Sequence, residues 1–208
     1  MAISSLSKLG VPLSGNQSAS NQGLLMPKLQ YRFRVLFQNF GVSKPTTELT
    51  KQVKDTTRPS PTFADIVLDV YNSQIKLAGK ASWGDLSVNL RDDASGAVSK
   101  LVGEQVQKQM DFYEQSSAAS GIDYKFTMRI EILDGGNGAY EPVVLETFEC
   151  YGCYVSKVDY KQLDYKSSET VDIALTIKYD NALQINTAGV PVGIGAAVGR
   201  TVRSLATG

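Results

Sequence analysis

The stretch that decides the reading is residues 79–113, GKASWGDLSVNLRDDASGAVSKLVGEQVQKQMDFY. Its first part alternates. Leu86, Val88 and Leu90 fall on one face and Ser87, Asn89 and Arg91 on the other, the period of a strand with one buried side. Asp92 and Asp93 stop the alternation and stand where a helix N-terminus favours negative charge and side-chain acceptors. Beyond them Val98, Leu101, Val102, Val106, Met110 and Tyr113 recur at spacings of three and four, the packing stripe of an amphipathic helix. It is the one long helical pattern inside a β-patterned chain. A sheet with one apolar face needs a cover, and this helix is the obvious one.

Working back towards the N-terminus, Gln74–Ala78 and Phe63–Tyr71 read as strands joined by a turn at Asn72-Ser73, with Ile66, Leu68 and Val70 on one face of the longer run. Residues Gly41–Pro61 read as a long loop or ragged hairpin. It ends in Arg58-Pro59-Ser60-Pro61, whose prolines forbid helix and favour a stiff, extended connection. A loop of that length in a compact domain signals an interaction element. Tyr31–Gln38 is the first strand: Tyr31, Phe33, Val35 and Phe37 oppose Arg32, Arg34 and Gln38, and Leu36 breaks the pattern. Met1–Pro27, rich in Ser, Gly, Asn and Gln, has the composition of an arm.

Towards the C-terminus, Ser116–Gly121 is a small-residue linker. Asp123–Leu133 alternates most cleanly, with Tyr124, Phe126, Met128, Ile130 and Ile132 against Lys125, Thr127, Arg129 and Glu131. Residues 134–138, DGGNG, are turn chemistry. Val143–Val158 reads as one or two strands broken near Gly152, and Tyr160–Ser168 as a polar connection. Val171–Tyr179 turns Val171, Ile173, Leu175, Ile177 and Tyr179 inward and Asp172, Thr176 and Lys178 outward. Ala182–Gly208 is rich in Gly, Ala, Val and Thr. Arg200 and Arg203 are the only charges there, and Ile194, Val198, Val202 and Leu205 could stripe a small helix; it reads as a second arm.

The expected architecture is mainly β. Six to eight antiparallel strands form a sandwich or barrel with one flanking α-helix, and extended arms lie at both ends. The expected division is an N-terminal arm over 1–27, a β domain over 28–183 and a C-terminal arm over 184–208. Strands of this kind bury one face and wet the other. The wet face looks either to solvent or into a water-filled channel.

Composition narrows the function. The chain has 208 residues, enough for one sizeable domain or two small ones, with 21 Lys plus Arg balancing 21 Asp plus Glu. A dedicated nucleic-acid binder carries a basic excess to neutralise phosphates, and that excess is missing. There is no membrane segment and no charged-then-apolar leader, so folding in the cytoplasm is the expectation. With no histidine at all, the commonest general base and metal ligand are gone, and the prior for an enzyme falls.

Each candidate for chemistry has a plainer explanation. Cys150 and Cys153 form one C-x-x-C, but a zinc site needs two further ligands and a thioredoxin-like pair should open a helix. In a regular strand the two thiols point to opposite faces. DGGNG lacks the spaced oxygens and late Glu of a calcium loop. Gly193-Ile194-Gly195 with Gly199 misses the dinucleotide spacing. Asp92 and Asp93 are accounted for by helix capping. No nucleophile, base and orienter set emerges, so no catalytic, metal or cofactor site is expected.

Two blocks, in their order, resemble the tail-tube proteins of contractile-tailed bacteriophages. The first runs Gly79, Trp83, Asp85, the alternating Leu86–Leu90 and the pair Asp92-Asp93 into the helix. The second covers Glu146–Tyr179, with Gly152, Val158, Leu163-Asp164, Ser168 and a final strand ending in Tyr179. The resemblance spans about Leu29 to Leu183 and lies in the order of patterned strands.

It implies a β-sandwich-like subunit flanked by a helix, as in type VI secretion (Hcp) and contractile bacteriocin tubes. Six copies close into a ring by joining inner sheets, and rings stack into a tube that passes the genome. A tube initiator or terminator at the baseplate or neck has the same fold. The implied partners are further copies of the chain, sheath, tape-measure, baseplate and neck proteins, with genomic DNA passing unbound. The implied place is the virion tail, after assembly in the host cytoplasm. On this reading Lys125, Arg129, Glu131, Asp172 and Lys178 are candidates for the lumen. Lys44, Lys51, Lys54 and Arg58 are candidates for a ring-to-ring loop. The competing classes are a ligand-binding β-sandwich on a virion, which wants an exposed aromatic platform where the lone Trp83, in the turn before a strand, reads as a packing residue, and a histidine-free hydrolase.

Overall fold

The computed structural model describes residues 27–43, 46–135, 141–166, 168–186 and 191–192. Lys44, most of the DGGNG turn, the arm up to residue 26 and the C-terminal stripe Ile194, Val198, Val202 and Leu205 lie outside the described residues. Residues 1–32 and 33–208 form two units. In the first, the Arg32 amide donates to the Leu29 carbonyl at 3.2 Å, so Gln30 and Tyr31 form a turn and the strand does not start at Tyr31. Everything below concerns the second unit.

Its strands, in chain order, are β1 Phe33–Gln38, β2 Val53–Thr56, β3 Pro61–Val70, β4 Ser73–Trp83, β5 Leu86–Arg91, β6 Met110–Asp111, β7 Ser116–Ser117, β8 Phe126–Leu133, β9 Val144–Asp159, β10 Asp172–Lys178 and β11 Asn181–Asn186. Three helices interleave: α1 Thr47–Gln52, α2 Ala97–Gln109 and α3 Gly121–Tyr124. The fold is mainly antiparallel β, as the alternation predicted. The helix count is higher, because the two short helices carry too few residues to print a period.

Seven strands make one sheet, ordered β1-β8-β9-β10-β5-β2, with β11 also on β9. The long β9 is what joins its halves. Before Gly152 it lies between β8 and β11, with Glu149 opposite both Arg129 and Leu183. After Gly152 it pairs with β10, with Val158 opposite Leu175. Gly152 sits at φ +66°, the left-handed region that a side chain resists, and the strand bends there. The sheet thus curls about one core without closing into a barrel.

That core is built from the alternating sets: Val35 and Phe37 of β1, Leu86, Val88 and Leu90 of β5, Phe126, Met128 and Ile130 of β8, and Ile173, Leu175 and Ile177 of β10. Phe40 stands edge-on to Phe126 at 4.9 Å. Each such burial contributes about 1.5–3 kcal/mol against conformational entropy.

Helix α2 covers the open side with Val98, Leu101 and Val102, all buried. The stripe then departs from the sequence reading. Val106 is only half-buried, and the helix ends at Gln109, so Met110 is 40% exposed in β6 and Tyr113 is 95% exposed. Glutamines continue the buried line instead. Gln105 accepts from the Gly41 amide at 2.9 Å and donates to the Tyr124 carbonyl at 2.7 Å. Gln109 donates to the Val155 carbonyl and accepts from its amide, both at 2.9 Å. Its side-chain amide thus serves as one residue of strand along β9.

The acidic pair is displaced too. Gly96, at φ +68°, holds the N-cap position, and Asp93 reaches forward to accept from the Val98 amide at 3.2 Å. Hydrogen bonds from the Ser95 hydroxyl and from Val98 lower the Asp93 pKa. Asp92 instead anchors the end of β5, its amide donating to the Val171 carbonyl at 2.8 Å.

Three boundaries move. Residues Gly41–Pro61 are not one long loop: α1 and β2 lie within them, and β2 pairs with β5 at the sheet edge. Residues Gly121–Tyr124, read as linker and strand, are a helical turn closed by a Ser120–Asp123 capping box. The sheet runs on through Gln184, Ile185 and Asn186, past the boundary expected at 183.

Candidate assembly surface

The chief departure from a closed core is the hairpin β3–β4. It forms a sheet of its own, and every residue of β3 is exposed. The register sets Ile66 opposite Leu77 and Leu68 opposite Ile75, so Ile66, Leu68, Val70, Ile75 and Leu77 share one face. These five are 46–49% exposed, about what one side of an uncovered strand presents. The other face carries Asp65, Val67, Asp69, Gln74, Lys76 and Ala78. At the root, Trp83 packs against Tyr179 with ring centroids 5.6 Å apart, and the Gly84 amide donates to the Ser60 carbonyl at 3.0 Å. Trp83 is a partly buried hinge residue here, not an exposed platform.

The predicted lumen residues divide between two stretches of the sheet's outer face. Arg129 and Glu131 lie on β8. Arg129 reaches Glu149 of β9 at 2.9 Å, Glu149 also accepts from the Tyr151 hydroxyl at 2.8 Å, and Glu131 is paired with Arg34 of β1. Asp172 and Lys178 lie on β10. Asp172 meets Lys54 at 2.7 Å, which lowers the carboxyl pKa and raises that of the amine. Lys178 is exposed. Lys125 precedes β8 and reaches Asp180, in the turn between β10 and β11, at 2.5 Å. Lys178 apart, these candidates are thus held in pairs of opposite charge.

The ring-contact candidates are dispersed. Lys51 is on α1, paired with Glu48 at 2.8 Å. Lys54 is engaged by Asp172, and Arg58 is exposed between β2 and β3. What protrudes is the hairpin that follows them. Sequence reasoning found its strands and its turn and put Ile66, Leu68 and Val70 on one face, but alternation does not tell what covers a face.

Both thiols of the C-x-x-C are buried in the core. The bend at Gly152 rotates the strand, so Cys150 and Cys153 share the inner face rather than opposing faces. The Cys153 thiol donates to the Cys150 carbonyl at 3.3 Å. Burial pushes both pKa values up to about 12, which keeps them as unreactive thiols.

No protein-family model matches the sequence, and no curated protein does. Solved structures match at the level of fold. A chain of the six-fold symmetrised baseplate of the anti-feeding prophage is 15% identical, covering 79% of this chain and 99% of its own, with a TM-score of 0.57. A chain of that prophage's tube-terminating cap is 13% identical over 83% of this chain and 99% of its own, at 0.59. A chain of the extended sheath–tube complex of an extracellular contractile injection system is 13% identical over 82% and 99%, at 0.56. The curled antiparallel sheet covered by α2 is therefore a fold shared with these chains of contractile injection systems.

Proposed function

We propose that this chain is a structural, non-catalytic tube subunit that works only as an assembly. Copies close into six-membered rings, and rings stack into a hollow conduit. The observation that carries this reading is the β3–β4 hairpin, Pro61–Trp83, whose one apolar face has no cover among the described residues. An isolated two-stranded hairpin is marginal in water, and an exposed apolar patch marks a contact surface. A second copy supplies the missing partner.

The paired charges on the outer face of β1, β8, β9 and β10 give a wall without net charge, along which a polyanion slides without being held. We assign Arg129 and Glu131 to that wall. A sheath surrounds the tube, a tape-measure protein and then genomic DNA occupy its bore, and baseplate and neck proteins close its ends. The particle is a virion tail assembled in the host cytoplasm. The likeness to a terminating cap supports a second reading, a ring that ends the tube. Negative-stain electron microscopy of the purified protein at high concentration separates the cases. Long tubes support the tube subunit, discs that never extend support the terminator, and monomers alone contradict both.

A further inference from the structure

The two strands of the hairpin differ in charge. The only ionisable residues of β3 are Asp65 and Asp69, both acidic; those of β4 are Lys76 and Lys80, both basic. All four are exposed. Asp65 and Asp69 lie on the same face as Lys76, by the register Asp65 opposite Ala78, Val67 opposite Lys76 and Asp69 opposite Gln74. Lys80 lies beyond the register shift between Phe63 and Asp65. Among the described residues none of the four has an ion-pair partner. Among the described residues each strand pairs with the other along one side only, so each also presents a free edge of amides and carbonyls.

We propose that the free edge of β3 in one copy pairs with the free edge of β4 in the next, acidic strand against basic strand. This deepens the tube reading and rests on it. The contact is heterologous, so repeating it does not stop at a dimer and builds a ring where the rotation between copies closes. Hairpin beside hairpin keeps the antiparallel order and the face of every side chain. Ile66, Leu68, Val70, Ile75 and Leu77 of successive copies then join into one apolar belt, and the charged face becomes a belt of alternating sign. Charges on an edge strand often only discourage random pairing. Their segregation by sign does more: it favours β3 against β4 and disfavours β3 against β3 or β4 against β4.

The test uses the full chain and two charge variants. Asp65→Lys with Asp69→Lys makes both edges basic; Lys76→Glu with Lys80→Glu makes both acidic. All four positions are exposed, so both variants fold, as circular dichroism will verify. Each variant alone should lose at least about tenfold in assembled fraction by sedimentation, since facing edges now carry like charge. Mixed in equal amounts the two should assemble again, because alternating copies restore opposite charges at every contact in a ring of even number. Either variant assembling alone like the wild type overturns the proposal and leaves the tube reading standing. So does a folded mixture that stays monomeric. A wild-type chain that never assembles overturns both.

Discussion

The curled sheet and the β3–β4 hairpin are written in the same alternating code and end in opposite surroundings. In β5, Leu86, Val88 and Leu90 are fully buried; in β3, Ile66, Leu68 and Val70 are nearly half exposed. The difference is what faces them. β5 sits between β10 and β2 and contributes to the one core. β3 has only β4. Alternation makes a strand amphipathic, and topology decides whether the cover comes from the same chain. The sheet completes itself, while the hairpin is left for another copy to complete.

The largest effect comes from charging the completed region. Val102→Asp places a carboxylate at a fully buried point of α2 and should cost more than about 4 kcal/mol, most of a domain's stability. Urea denaturation checks this, and assembly fails with the fold. A smaller effect is expected at the bend that joins the halves of the sheet. Gly152→Ala forces a side chain into φ +66° and puts its Cβ 2.1 Å from an Asp180 carboxylate oxygen, displacing the Asp180–Lys125 pair. About 2–3 kcal/mol should be lost, read as a lower thermal midpoint.

How much of this was legible follows from particular residues. The strands β5, β8 and β10 declare themselves, because a buried face and a wet face alternate residue by residue. The helix declares its apolar face but not its ends. Met110 and Tyr113 continue the apolar period, whereas the buried line passes through Gln105 and Gln109, which are held by backbone hydrogen bonds that hydropathy does not register. The shared inner face of Cys150 and Cys153 hangs on the bend at Gly152. Helix α1 was invisible because Leu49 is its only buried residue. For the candidate surface, the polar positions on β8 and β10 were legible, but their ion-pair partners Arg34, Glu149 and Lys54 come from strands distant in sequence.

A third prediction probes how α2 holds the 41–43 segment. Glu104 accepts from the Ser43 hydroxyl at 2.6 Å and from the amides of Ser43 and Val42 at 2.7 and 2.9 Å. These bonds, the Ser43 hydroxyl first, hold its pKa down to about 2 from the ordinary 4.5. A carboxylate depressed in the folded state stabilises above its unfolded pKa and loses that contribution as pH falls through the folded one. Glu104→Gln should therefore cost about 1–2 kcal/mol at neutral pH. The gap to wild type should narrow as pH falls from 4.5 towards 2; urea midpoints across that range measure it. The smallest effect on the fold belongs to the hairpin. Leu68→Asp should change monomer stability by less than about 0.5 kcal/mol and still abolish sedimenting assemblies, the reverse of what a core position does per unit of lost stability.

Hydrogen exchange in the two states tests the central claim most directly. Amides of β8 and β9 should be protected in both monomer and assembly, being paired on either side within the chain. Amides of Pro61–Trp83 that face the free edges should exchange fast in the monomer and become strongly protected in the assembly. Assembled particles in which the hairpin exchanges as fast as in the monomer would contradict the account.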